Sequence, residues 1–393
     1  MTEPRYAWVI VGAAFFSLAI IFGVSYSFAA FFESFAAEFA AERADISWIF
    51  GICGLTYFVL GAAAGILTDR FGPRIVCGSG MALIAAGLWW TSLAEALPSV
   101  YLSYGLMVGL GIALVYTPAI SSVQPWFSVR RGLAAGIASS GVGAGTLVVP
   151  MLIAALLADQ PWRYTMRELA AGVLLAGLFT TFWLKRPPAL GQSGNQIRPG
   201  VNLREALTRQ PFWWLYLGTV LAAPTMFIPF SHLSPAARDL GIDPTQSVGL
   251  VGMIGIGSLI GRFGVGSLAD RIGRIPALCW MQLSMGCAFV AWALGASYPG
   301  LVFFALWFGL SYGGIVALLP AICMDLFGAR SISGILGTLY SGAALGNLLG
   351  PVLAGAVFDR TQSYQPVIWS CLGLAAVATL TSLRLRRFDG NPY

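Results

Sequence analysis

The sequence predicts an all-α membrane protein of twelve transmembrane helices in two pseudo-symmetric six-helix bundles, and three observations predict it. The first is composition: of 393 residues 58% are hydrophobic and 10% charged, with a mean hydropathy of +0.79, whereas a soluble domain carries about 25% charged residues. The second is segmentation into apolar runs close to the roughly 20 residues that a helix needs to cross the hydrocarbon layer. The third is an internal repeat at a constant offset of 201 residues.

The runs fall at 6–32, 47–68, 75–95, 99–124, 132–158, 166–184, 212–238, 246–268, 275–297, 300–325, 331–358 and 366–384. The first is too long for a signal-peptide core and stays as a span. Gly is abundant, at 48 residues, which suits spanning helices whose backbones approach closely. Most loops are short. The exception is 185–210, where Pro187, Pro188, Gly191, Gly194, Pro199 and Gly200 accompany five basic residues, a composition typical of a flexible linker. It divides the chain into an N-terminal bundle (1–184), a cytoplasmic linker (185–210) and a C-terminal bundle (211–393).

Charge sets the orientation. Sixteen of the 22 Lys and Arg residues lie at the termini or in the even-to-odd loops, while Arg43, Arg163, Arg167, Arg238 and Arg360 lie on the opposite side. By the positive-inside rule both termini are cytoplasmic, in the inner or plasma membrane of the cell. The net charge of +6 is therefore topology, and no contiguous basic face suggests nucleic acid. Six cysteines sit inside apolar runs without paired short spacings, and His232 is the single histidine. No metal centre or cofactor is expected. His232 lies near the outer end of span 7, where both a structural histidine and a role in gating or proton handling are open.

The repeat is specific. Gly65-x-x-x-Asp69-Arg70-x-Gly72-x-Arg74 joins spans 2 and 3, and Gly266-x-x-x-Asp270-Arg271-x-Gly273-Arg274 joins spans 8 and 9; Ser140, Gly141, Gly145 and Pro150 in span 5 match Ser341, Gly342, Gly346 and Pro351 in span 11 at the same offset. Because six spans is an even number, both copies enter the membrane in one orientation, as parallel repeats. In these motifs the chain resembles the major facilitator superfamily. The resemblance implies a transporter that works by alternating access, with Gly65, Asp69, Arg70, Arg74, Gly266, Asp270, Arg271 and Arg274 forming a cytoplasmic latch. The Gly-rich strings at 141–145 and 255–261 follow no strand and read as helix-packing faces rather than nucleotide loops.

Arg262 stands inside span 8. An Arg near a helix centre costs about 2.5–3.5 kcal/mol on insertion scales and marks a functional site by default. A guanidinium matches a carboxylate, and a single intramembrane cation favours a monoanion, because a dianion would keep one uncompensated charge. Gly257, Gly261, Gly264 and Gly266 are expected to leave room beside it. Tyr116, Tyr312, Tyr340 and Asn347, together with Tyr26, are the polar groups that could complete the pocket.

Span 5 opens with Trp126-Phe127-x-x-Arg130-Arg131-Gly132-Leu133-Ala134-Ala135-Gly136, and span 1 is preceded by Glu3-Pro4-Arg5-Tyr6-Ala7-Trp8. Both are similar to signatures of the monocarboxylate transporter family. The resemblance implies that Arg262 binds a substrate carboxylate and that a proton accompanies a lactate-like monocarboxylate. Many animal members carry an Asp one turn earlier, where this chain has Ser258. An oxalate/formate-type exchanger is the nearest alternative, although span 11 lacks the second cation of that group. An intramembrane enzyme or sensor is remote: no nucleophile and base are paired. The monomer is the expected functional unit, with the lipid bilayer its solvent.

Overall fold

The computed structural model describes residues 4–123, 126–127, 131–185, 200–328 and 332–388; within the helices the side chains at 62, 69, 131–133, 266, 267, 270 and 333 lie outside the described set. Twelve long helices appear among the described residues: α1 (Arg5–Phe39), α2 (Arg43–Phe71), α3 (Pro73–Thr91), α4 (97–123), α5 (Arg131–Asp159), α6 (Trp162–Phe182), α7 (Gln210–Asp239), α8 (Pro244–Ile272), α9 (Arg274–Leu294), α10 (Tyr298–Phe327), α11 (Ile332–Thr361) and α12 (Gln365–Leu383). Eleven are long and apolar enough to cross a membrane.

α6 falls short because Arg163, Arg167 and Glu168 occupy its first two turns. Those charges are anchored. Arg163 donates to the carbonyls of Ser92 (3.1 Å) and Ala94 (2.8 Å), and Arg167 to Ser92 Oγ (3.2 Å). α1 extends past its predicted end at residue 32. Hydropathy loses it at Glu33, yet its last turns are held from outside the helix, with Arg163 donating to Glu38 at 2.8 Å.

Each half repeats one packing scheme: α1 on α5, α2 on α4 and α3 on α6, then α7 on α11, α8 on α10 and α9 on α12. The repeated glycines do the same work in both. A Cβ on Gly141 or Gly145 would overlap the carbonyls of Phe15 and Ala19 in α1, and one on Gly346 would overlap Ala223 in α7. The loop motifs also agree. Gly72 (φ 88°, ψ 155°) and Gly273 (φ 91°, ψ 147°) turn the chain between helices in a region open essentially to glycine alone.

The linker expectation covers 185–210, of which 186–199 lies outside the described residues. The rest is ordered rather than loose. Val201 N–H donates to Phe327 O (2.9 Å), and a short helix, Leu203–Thr208, is capped by Asn202. This segment therefore docks against the end of α10.

The halves meet through α2 against α11, α5 against α8, and α1 beside α7. At the end remote from the termini they are fastened by polar groups. Arg43, at the start of α2, donates both guanidinium nitrogens to Asp239 at the end of α7 (2.8 and 2.6 Å) and one of them to Tyr364 Oη (2.7 Å). The Asp359 carboxylate of α11 accepts from the backbone N–H groups of Arg43 and Ala44 (3.1 and 2.9 Å), so one half caps a helix N-terminus of the other, where an anion is favoured. Below this fastening His232 is fully buried, 2.9 Å from Tyr364 Oη, 2.8 Å from Pro351 O and 3.1 Å from Ser47 Oγ. Toward the termini, Ile66, Phe71, Phe263 and Ile272 on α2 and α8 are exposed.

Candidate functional site

Arg262 lies on α8, half-buried, with its Nε donating to Ser258 Oγ at 3.3 Å. One helical turn separates the two, so the serine holds the guanidinium without neutralising it. Arg262 lies within electrostatic range of the hydroxyls of Tyr26, Tyr116, Tyr312 and Tyr340. Those tyrosines come from α1 and α4 of the first half and α10 and α11 of the second. The two halves are joined directly at this level, where Tyr26 Oη and Tyr312 Oη lie 3.1 Å apart and Phe230 of α7 stacks on Tyr26 at 4.1 Å between centroids. Four of the tyrosines singled out in the sequence therefore share one electrostatic neighbourhood.

One expectation changes. Gly257 and Gly261 do not leave space beside Arg262, because added Cβ atoms would overlap the Leu306 and Leu310 carbonyls of α10; only Gly264 of the described glycines there faces open space. Close helix packing, not a vestibule, explains the first two. At Gly65 an added Cβ would make only ordinary contact, 3.8 Å from Thr117, so that glycine is not required by tight packing in this conformation.

Asn347 is fully buried between α11 and α2. Its Nδ2 donates to Phe50 O (3.3 Å), its Oδ1 has no partner among the described residues, and Gly54 has no Cβ to obstruct it. Thr146 packs at the offset position against Gly255, the offset partner of Gly54. In this conformation Asn347 is thus a joint between halves.

Tyr57 escaped the sequence reading. It is 1% exposed, packs against Phe22 beside Tyr26 and Tyr116, and its hydroxyl has no hydrogen-bond partner among the described residues. The repeat held a signal, since Tyr57 is the offset partner of Ser258. Of the latch, Arg274 bonds Asp325 and the Ala321 carbonyl (3.2 Å), Arg74 lies 4.6 Å from the Phe182 ring centroid, and Arg70 and Arg271 are exposed. The side chains of Asp69 and Asp270, and residue Gly266, lie outside the described set.

Residues 14–340 match the Major Facilitator Superfamily. Monocarboxylate transporter 13 of Bos taurus is 33% identical over 92% of this chain and 85% of its own length. The chain belongs to the monocarboxylate transporter family of that superfamily. Monocarboxylate transporter 3 of Rattus norvegicus is 29% identical over 93% of the transporter and 77% of its own length. Among solved structures, an inward-facing, unoccupied bacterial homologue of the human lysosomal transporter Spinster superposes with a TM-score of 0.75, covering 100% of the transporter and 99% of that chain at 16% identity. This supports the fold. The chain is accordingly a multi-pass membrane transporter and not an enzyme.

Proposed function

We propose that the chain is a proton-coupled symporter of a small monocarboxylate such as L-lactate or pyruvate, acting as a monomer with both termini cytoplasmic. The observation that carries this reading is the half-buried Arg262 guanidinium, held by Ser258 and unpaired with any carboxylate among the described residues, within electrostatic range of tyrosine hydroxyls from both halves. A guanidinium binds a carboxylate through a planar fork, and one cation balances one anion. Tyr116, Tyr312 and Tyr340 would donate to the remaining oxygens, and Asn347, whose Oδ1 has no partner among the described residues, would join when α2 and α11 separate. The names of the relatives agree with this substrate class.

A monoanion entering a negative cell alone is opposed by about 2.3 kcal/mol per 100 mV, whereas a co-transported proton makes the step neutral. Alternating access would rock bundle 1–184 against bundle 211–393. The polar fastening at Arg43 then forms the outer gate, and the two Gly-Asp-Arg loops form the cytoplasmic latch. Purified protein in liposomes should accumulate labelled L-lactate under an inward proton gradient, and Arg262→Ala should abolish accumulation. Undiminished accumulation by that variant would overturn the site. Exchange of preloaded oxalate without proton dependence would overturn the symport.

A further inference from the structure

The outer corner of the interface holds more chemistry than a static clasp requires. His232 is 0% exposed, and its neighbours assign its tautomer. Pro351 O can only accept, so the ring nitrogen 2.8 Å away, Nε2, carries hydrogen. Ser47 Oγ donates to Arg43 O (2.6 Å) and is free to accept from the same Nε2–H. Nδ1 is then the lone pair, and it accepts the Tyr364 hydroxyl hydrogen at 2.9 Å. Burial holds the Tyr364 phenol above the usual tyrosine range, so that hydrogen stays in place. The Tyr364 oxygen in turn accepts from Arg43 Nη1 at 2.7 Å. The result is a directed chain: Arg43 N–H to Tyr364 O–H to His232 Nδ1.

We propose that the outer gate is proton-operated, with neutral His232 the closed form and protonation of Nδ1 the event that releases Arg43. It goes beyond symport by naming the group that senses the proton, and it takes from that reading only the assignment of this end as outer. A hydronium ion gives its proton to the Nδ1 lone pair: one N–H bond forms, one O–H bond of the hydronium breaks, and water is released. Nδ1 becomes a donor, the Tyr364 hydrogen loses its acceptor in a buried corner, and the Tyr364 oxygen faces two cations. The other groups facing this corner are Glu33 of α1, which lies 3.9 Å from Arg43, Asp239 of α7 and Asp359 of α11. These carboxylates give the opened mouth a negative charge that accommodates the imidazolium. Among them only the histidine has an ordinary titration range near neutrality.

Amide hydrogen exchange of residues 40–50 and 230–245 in the liposome-embedded protein tests this, read at about pH 8 and about pH 5.5 across the ordinary histidine range. After correction for intrinsic exchange, the wild type should exchange about tenfold faster at the lower pH, equal to about 1.4 kcal/mol. His232→Gln keeps an N–H for Pro351 and an acceptor for Tyr364 but cannot titrate, so its exchange should not respond. Tyr364→Phe keeps the histidine but removes the shared oxygen, and should lose most of the response should His232→Gln fail to fold. Equal protection of the wild type at both pH values would overturn the proposal, as would a wild-type response in either folded variant, which would transfer the effect to the carboxylates. None of these readings depends on the substrate, so a failed lactate assay leaves them intact.

Discussion

Substituting Gly54 by alanine perturbs the α2–α11 joint at its tightest point. The new Cβ would overlap Nδ2 and Cγ of Asn347 and lie 2.9 Å from Oδ1, the most distant of the three amide atoms. Either the helices separate or the amide turns away. Turning strands a fully buried amide that now bonds Phe50 O at 3.3 Å, a cost of about 1–3 kcal/mol. Separating the helices carries a similar overpacking cost of about 1–3 kcal/mol. Asn347→Ala removes the obstruction, so the double variant Gly54→Ala/Asn347→Ala should be more stable than the sum of the single effects by at least ~1.5 kcal/mol. Thermal unfolding in detergent reads this coupling. A double variant that is merely additive would refute the argument that these two residues form one contact.

Two further outcomes follow from the tyrosines and from Ser258. Tyr57→Phe removes a hydroxyl that has no partner among the described residues and should leave the thermal midpoint unchanged or raised, whereas Tyr26→Phe breaks the 3.1 Å bond to Tyr312 and should lower stability by about 1 kcal/mol; equal losses would contradict the hydrogen-bond assignment. Ser258→Asp sets a carboxylate where a serine oxygen now lies 3.3 Å from Arg262 Nε. It should compete with the substrate and raise the half-saturating lactate concentration about tenfold, and an unchanged concentration in initial-rate uptake would count against Arg262 as the carboxylate ligand.

The spans were legible because a bilayer imposes one length on every crossing helix. Legibility failed where charges were anchored by neighbours, as in the first turns of α6 and the last of α1. The repeat was visible because turn glycines and packing glycines tolerate no replacement by bulk, and Gly72 with Gly273 bears this out in its backbone angles. Arg262 was legible because a charge in an apolar run is costly. The tyrosines were legible only as a group. In a spanning helix the lipid face and the packed face are both apolar, so spacing does not tell which way a phenol points, and Tyr57 passed as one more ring. The glycines near Arg262 were misread for a related reason, since missing side-chain volume serves helix contact and open space alike. The fastening of Arg43, Asp239, Asp359 and Tyr364 draws on three separated stretches, and no local pattern joins them.

The duplicated scaffold makes two equivalent seams between its halves, and they are not finished alike. Along α5 and α8, Gly143 and Gly255 face each other's backbone, and an added Cβ on either would lie 3.0 or 2.8 Å from the opposite carbonyl. Along α2 and α11 the corresponding surface carries the Asn347 amide, and at its end remote from the termini the Asp359 carboxylate on α2's first amides. The first seam can behave as a bearing, where smooth surfaces slide with little change in bonded partners. The second is a buckle that must be undone bond by bond. A machine so assembled would not open like a symmetric book, because one side offers bare backbone contact while the other has named bonds to break.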